Sequence, residues 1–162
     1  MTAQSIIDRL NASQRTVCTA ESLTAGLVSA ALCNVPGASG CVLGGVAAYQ
    51  DQVKERLLSV SPQTIASRTA VSAACAREMA EGAREKFDAD FALSTTGYAG
   101  PGGEEVGLVF VGLATRMGTA VRRLRLTGSR QGIRRMTAQL ALYFLQKEIE
   151  NHGEGKEHQE GR

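Results

Sequence analysis

A chain of 162 residues, 43% hydrophobic and 21% charged, has the size and composition of one globular domain, which buries roughly 68–70% of its unfolded surface and folds without a disulfide or metal. A formal net charge of +2 and only 4% aromatic residues, with no Trp, argue against nucleic acid or an anionic membrane surface as partner. No apolar run approaches the roughly 18 residues of a transmembrane helix, and Asp8 and Arg9 interrupt the N-terminal apolar stretch, so neither membrane span nor signal peptide is expected and the chain reads as cytoplasmic.

In chain order, residues 4–12 carry apolar positions at helical spacing and predict a first helix. The β-branched run 16–21 predicts a strand, the segment Ser22 to Gly26 a junction, and 27–35 a helix that stops before Pro36-Gly37. Residues 40–49 predict a second strand whose glycines point to a bulge or a close backbone approach. Asp51 is placed to cap the next helix, Pro62 to open a short helical turn, and Ser72 to cap a longer helix with apolar positions three and four apart. A strand over 91–96 runs into a glycine-rich loop, Gly97 to Gly103. The continuously apolar 106–114 predicts a central buried strand, and Met117-Gly118 turns into an edge-like alternating strand. A closing helix covers 130–150.

The order α-β-α-β-α-α-β-β-β-α predicts an α/β fold: a three-layer α/β/α sandwich on a mixed, mostly parallel sheet, early strands parallel and the last pair an antiparallel hairpin. Residues 1–150 form one domain. Residues 151–162 hold no apolar side chain and are expected to be a polar mobile tail.

Scarcity narrows the chemistry. The only two histidines, His152 and His158, lie in that tail, which excludes Ser-His-Asp and Cys-His enzymes, a histidine-rich zinc site and a histidine base. Cys18, Cys33, Cys41 and Cys75 show no C-x-x-C spacing and read as small buried hydrophobes in a reducing compartment. Lys54 and Lys86 are the lysines well inside the folded body.

Ligands of open α/β sheets bind beyond the carboxyl ends of parallel strands. Three such ends are polar here: Ser22 at a strand-to-helix junction whose amides can hold a phosphate or an oxyanion, Tyr49 five residues before Lys54, and the loop from Thr95 to Gly103. Without histidine, a serine can be activated by a buried lysine with a tyrosine hydroxyl relaying a proton, and Ser22, Tyr49 and Lys54 are one such set. Serines also cap helices and lysines also solvate helix faces. Arg130, Arg134 and Arg135 form either a solvated face or a phosphate-binding cluster. P-loop, S-x-x-K, G-x-S-x-G and strand-borne G-x-G-x-x-G patterns are absent.

At these residues the sequence resembles the CinA C-terminal domain family. The resemblance rests on Ala20-Glu21-Ser22-Leu23-Thr24-Ala25-Gly26, on Val35-Pro36-Gly37-Ala38-Ser39, and on Gly44-Gly45 through Tyr49 to Lys54. It continues through Ala70-Val71-Ser72 to Glu78-Met79-Ala80 and Gly82-Ala83, then Thr96 to Pro101, and Gly128, Arg130, Ile133 and Arg134. These blocks stand in family order and cover about residues 5–150. The resemblance implies a metal-free, cofactor-free amidohydrolase that converts nicotinamide mononucleotide to nicotinic acid mononucleotide and ammonia. It also implies a homodimer; some members carry a larger N-terminal domain. It maps the catalytic serine, tyrosine and lysine onto Ser22, Tyr49 and Lys54, with amides near Thr24 to Gly26 holding the oxyanion. Thr24, Gly26, Thr96, Gly97, Ala99, Gly100, Arg130 and Arg134 are the implied substrate-binding residues. Leu23, Ala25, Asp51, Tyr98 and Ser129 depart from the family pattern, which makes a non-catalytic member that binds a nucleotide or protein partner the alternative reading.

Overall fold

The computed structural model describes residues 3–157, with side chains through residue 151. Its elements are α1 (Ala3–Ala12), β1 (Val17–Glu21), α2 (Leu27–Cys33), a 3-10 turn at Ala38–Gly40, β2 (Val42–Ala47), α3 (Asp51–Leu58), α4 (Pro62–Arg68) and α5 (Ala73–Phe87). Then follow β3 (Phe91–Gly97), β4 (Leu108–Thr115), β5 (Gly118–Arg125) and α6 (Arg130–Glu157). The five strands lie in the order β2-β1-β3-β4-β5. β1 runs parallel to β2 and β3, whereas β4 runs antiparallel to β3 and β5. Four strands therefore point one way and only β4 is reversed, so the antiparallel part is larger than the single hairpin expected. β4 is buried along most of its length but stands fourth in the sheet, and β3 holds the centre.

Strand alternation sorts the core into two faces. Val17, Phe91, Leu93, Val109, Val111 and Leu113 pack with Ile6, Leu10, Val28, Leu32, Ile133 and Leu145 of α1, α2 and α6. Their neighbours Cys18, Ala20, Ala92 and Ala114 face Cys75, Met79, Ala80 and Ala83 of α5. The second face is built of small side chains, so α5 approaches the sheet closely. A Cβ at Gly112 would sit 2.7 Å from the Ala76 carbonyl oxygen. This is the three-layer sandwich read from the sequence.

Both features expected of the β2 glycines occur. The β1–β2 register shifts so that Val17 faces Val42 while Cys18 faces Gly44, leaving Leu43 as a bulge. Gly45 lies against β1, where an added Cβ would meet Thr19 Oγ1 at 2.1 Å. Pro62 takes the first helical positions of α4, and Ser72 caps α5 by accepting a hydrogen bond from the Cys75 amide at 3.1 Å. Asp51 does not cap α3. Gln50 stands at that position and Asp51 is the first helical residue, its carboxylate free to turn toward Lys54. The closing helix outruns its expected end at 150 and continues to Glu157, through Gly153 and Gly155. Residues 158–162 of the expected tail lie outside the described residues.

At the sheet end opposite the Ser22 junction, Asp90 ties β3 to β1. Its carboxylate accepts from the Thr16 amide (2.9 Å), the Thr16 hydroxyl (3.2 Å) and Arg116 Nε (3.0 Å). Burial pushes this carboxyl up, but the Thr16 amide, Arg116 and the Thr16 hydroxyl together outweigh it and hold it below the usual 3.8. A depressed native value means stability present above the unfolded value and lost as pH falls through the folded one. Asp90→Asn is therefore expected to lose about 1–2 kcal/mol at pH 7 and to show a shallower fall in stability below pH ~4 than the parent. Urea midpoints at pH 7 and pH 3 check this, and superimposable curves at pH 7 would refute it.

Candidate active site

Ser22 follows β1 at its carboxyl end. Counting along alternation from Cys18 and Ala20, it falls on the α5 side of the sheet, the side from which α3 brings Lys54. Thr96, by the same count from Ala92 and Ser94, falls there too. A cavity of about 190 Å³ opens between these elements, lined by Ser22, Leu23, Tyr49, Asp51, Lys54, Ala70, Val71, Thr96, Gly97, Tyr98, Ala99 and Arg130. A second crevice of similar volume, between Arg15, Asp90, Phe91, Thr115, Arg116 and Met117 at the other end of the sheet, contains no serine, cysteine or lysine. The first cavity is the one with chemistry in it.

The Ser22 junction is held from three directions. The Ser22 amide donates to the Thr95 carbonyl at 2.9 Å, and the Ser22 carbonyl accepts from Ala25. Glu21, only 1% exposed, folds back onto the first turn of α2. One carboxylate oxygen accepts from the Gly26 and Val28 amides (2.9 and 3.0 Å), the other from the Ser29 amide and hydroxyl (both 2.8 Å). An internal carboxylate thus fills the anion site that a helix N-terminus provides. Arg134 closes the third side, donating from Nε to the Leu23 carbonyl at 2.7 Å and from Nη2 to the Thr24 carbonyl at 3.1 Å.

These contacts redistribute the roles expected from sequence. The Gly26 amide is committed to Glu21 and the Ala25 amide to the Ser22 carbonyl, so neither can hold an oxyanion. The Leu23 and Thr24 amides have no acceptor among the described residues and are the donors left beside Ser22. The Thr24 side chain is fully buried, its hydroxyl paired with that of Thr95 at 2.7 Å, which ties the loop to β3 rather than meeting a ligand. Arg134 directs Nε and Nη2 to the loop and is not among the residues lining the cavity. Gly100 is not among the lining residues, and its carbonyl accepts from Arg130. Ser22, Tyr49, Lys54, Thr96, Gly97, Ala99 and Arg130 do come together around the cavity; Thr24, Gly26, Gly100 and Arg134 support it from outside.

Lys54 is 2% exposed, and its Nζ donates to the Tyr49 carbonyl and to Asp51 Oδ1, each at 3.2 Å. Nζ makes no hydrogen bond to Ser22, whose hydroxyl has no partner among the described residues. Two acceptors fix two of the three outward directions of the lysine nitrogen. Tyr49 stands at the mouth, 56% exposed, its hydroxyl accepting from Arg130 Nη2 at 2.8 Å. Thr96 donates its hydroxyl to the Ala70 carbonyl at 2.7 Å, fixing the wall where α5 begins.

No cysteine lines the cavity, so none stands there as a rival nucleophile. Burial pushes the Cys18 thiol up to about 12 and the Cys75 thiol to about 11, and raises Cys41 as well. Cys33, expected to be buried, is exposed at the end of α2. Sequence reading gave Glu21 no role, although a carboxylate directly before a junction serine was the available signal. Asp51, one of the departures from the family pattern, stands beside Lys54.

The family model described as CinA C-terminal domain matches residues 1–149. The chain is 43% identical over 150 residues to a CinA-like protein of Dictyoglomus thermophilum, a match that covers 90% of this chain and 36% of that relative. It thus spans about a third of the length of the curated relatives it matches. Among solved structures, a competence-damaged protein (CinA) superfamily protein of Klebsiella pneumoniae superposes with a TM-score of 0.88 at 31% identity, covering 92% of this chain and 96% of that one. The competence/damage inducible protein CihA of Agrobacterium tumefaciens gives 0.86 at 36% identity, with 88% and 90% covered.

Proposed function

Because the chain belongs to the CinA C-terminal domain family, we propose that its cavity is a serine–lysine amidohydrolase site that takes nicotinamide mononucleotide to nicotinic acid mononucleotide and ammonia. One observation carries the reading: a junction serine and a buried lysine line one cavity in a chain whose histidines both lie beyond residue 151.

In this mechanism the Ser22 oxygen attacks the carboxamide carbon while its proton passes to the Lys54 lone pair. The Leu23 and Thr24 amides receive the developing oxyanion. Collapse of the tetrahedral intermediate breaks the C–N bond, and Lys54 returns the proton to the departing nitrogen, giving ammonia and an acyl ester on Ser22. Water then attacks that ester, with Lys54 again taking the proton; the C–O bond to Ser22 breaks, Lys54 returns the proton to Ser22 Oγ, and the acid leaves. Arg130, held by Tyr49 and the Gly100 carbonyl, stands at the mouth where a phosphate can accept its remaining donors.

The test is incubation with nicotinamide mononucleotide while ammonia and the acid product are followed. The parent is expected to turn over, and Ser22→Ala and Lys54→Ala each to lose at least about 1,000-fold in kcat. Both variants should remain folded by circular dichroism. Binding of the nucleotide without any ammonia release would instead favour the non-catalytic reading, for which the close pairing of Lys54 with Asp51 is the supporting observation.

A further inference from the structure

We infer that Tyr98 is the residue by which the cavity selects a positively charged aromatic ring over a neutral ring of the same shape. The inference rests on the proposed reading of the site and extends it from reaction to ring recognition.

Tyr98 lines the cavity and is 40% exposed. It follows β3 at the same parity as Thr96, on the side where Ser22 and Lys54 stand. Its backbone is clamped to the start of β4: the amide donates to the Leu108 carbonyl at 2.9 Å and the carbonyl accepts from the Gly107 amide at 2.7 Å. The base of the side chain is fixed, in a residue that lines the cavity and is part exposed. Tyr49, the other tyrosine at the mouth, is tied through its hydroxyl to Arg130; the Tyr98 hydroxyl makes no hydrogen bond among the described residues.

The charges of the cavity give Tyr98 its role. The one carboxylate of the lining, Asp51, is engaged by Lys54 Nζ at 3.2 Å, and Arg130 stands at the mouth. A cation inside therefore meets the Arg130 charge and no free counter-charge. The nicotinamide ring of the proposed substrate is such a cation, because its ring nitrogen is bonded to ribose and carries a positive charge. An aromatic face offsets that repulsion: a cation within about 6 Å of a tyrosine ring is attracted by the ring quadrupole, with no counter-charge to compete for Lys54. Stacking of two planar rings adds apolar contact at the same place.

The experiment compares binding of nicotinamide mononucleotide with its reduced form, whose dihydropyridine ring is neutral, by calorimetry on the Ser22→Ala protein so that no turnover intervenes. Ser22→Ala is expected to bind the cationic form roughly three- to tenfold more tightly. Adding Tyr98→Ala should abolish the difference, and adding Tyr98→Phe, which keeps the ring, should preserve it. Asp51, Lys54 and Arg130 are the same throughout, so a change traced to position 98 belongs to the ring. Equal affinities before the tyrosine is changed, a difference that survives Tyr98→Ala, or no binding of either form would each overturn the inference. A wild-type protein that fails to hydrolyse the nucleotide yet shows the Tyr98-dependent preference would remove the proposed reaction and leave ring selection standing.

Discussion

Glu21→Ala is expected to cost about 3–5 kcal/mol of stability and to remove activity from whatever protein remains folded. The carboxylate is 1% exposed and accepts from three backbone amides and one hydroxyl, so truncation strands those donors at the first turn of α2. It also takes a negative charge away from the positive end of the helix. The isosteric Glu21→Gln is no rescue. One oxygen accepts from Gly26 and Val28, the other from Ser29 N and Oγ, so an NH2 group in either place faces donors with a donor. Both variants should lower the urea midpoint at pH 7, and both should release the Ser22 junction from its fixed position. If Glu21→Gln matched the parent in urea midpoint and in turnover, the carboxylate would not be what holds the junction.

This residue also explains why the amides left open at the junction are not those the sequence pointed to. A serine at a strand-to-helix junction announces free amides at a helix start, and the resemblance implied oxyanion donors near Thr24 to Gly26. A buried carboxylate one residue earlier takes the Gly26 amide and shifts the open donors to Leu23 and Thr24. Nothing in spacing tells whether a glutamate at the end of a strand will turn out to solvent or back onto the next helix. Its burial is a tertiary fact.

The fold was legible where one principle acted alone. Apolar periodicity located every helix and strand, and the Ser72 cap, Pro62 helix start and Gly44-Gly45 irregularity followed from local chemistry. Where two local options compete, the sequence does not choose. Asp51 is as good a helix cap as an ion-pair partner, and the buried Lys54 Nζ decided the matter by drawing the carboxylate to 3.2 Å. Arg134 likewise carries the donors of a phosphate ligand, and the Leu23 and Thr24 carbonyls, 111 and 110 residues away in sequence, claim them. That Ser22, Tyr49 and Lys54 share one cavity was readable because scarcity had removed histidine and because all three stand at or just beyond the carboxyl ends of expected strands; the resemblance then named the same three residues.

Gly82→Ala should act on this face without touching the cavity. In the middle of a helix the substitution gains up to about 1 kcal/mol of intrinsic propensity, so local chemistry alone predicts a stabilised α5. Packing opposes it. A Cβ at Gly82 would lie 1.7 Å from the Leu58 carbonyl oxygen, 2.6 Å from its carbonyl carbon and 3.1 Å from its Cα, all backbone of the last residue of α3. Backbone cannot rotate aside as a side chain can, so the two helices must separate by roughly 1–2 Å, at a net cost of about 3 kcal/mol or more. The displaced helix is the one that carries Lys54, one turn before Leu58. A shift of about 1 Å in a reacting group is worth up to about 100-fold in rate, so kcat for nicotinamide mononucleotide is expected to fall 10- to 100-fold in the folded variant while the Ser22 junction, built on other elements, stays intact. Urea titration reads the first effect without reference to any substrate, and single-turnover kinetics read the second. A variant with raised stability and unchanged turnover would mean that α3 and α5 have room between them, and that the position of Lys54 does not depend on the missing Cβ at residue 82.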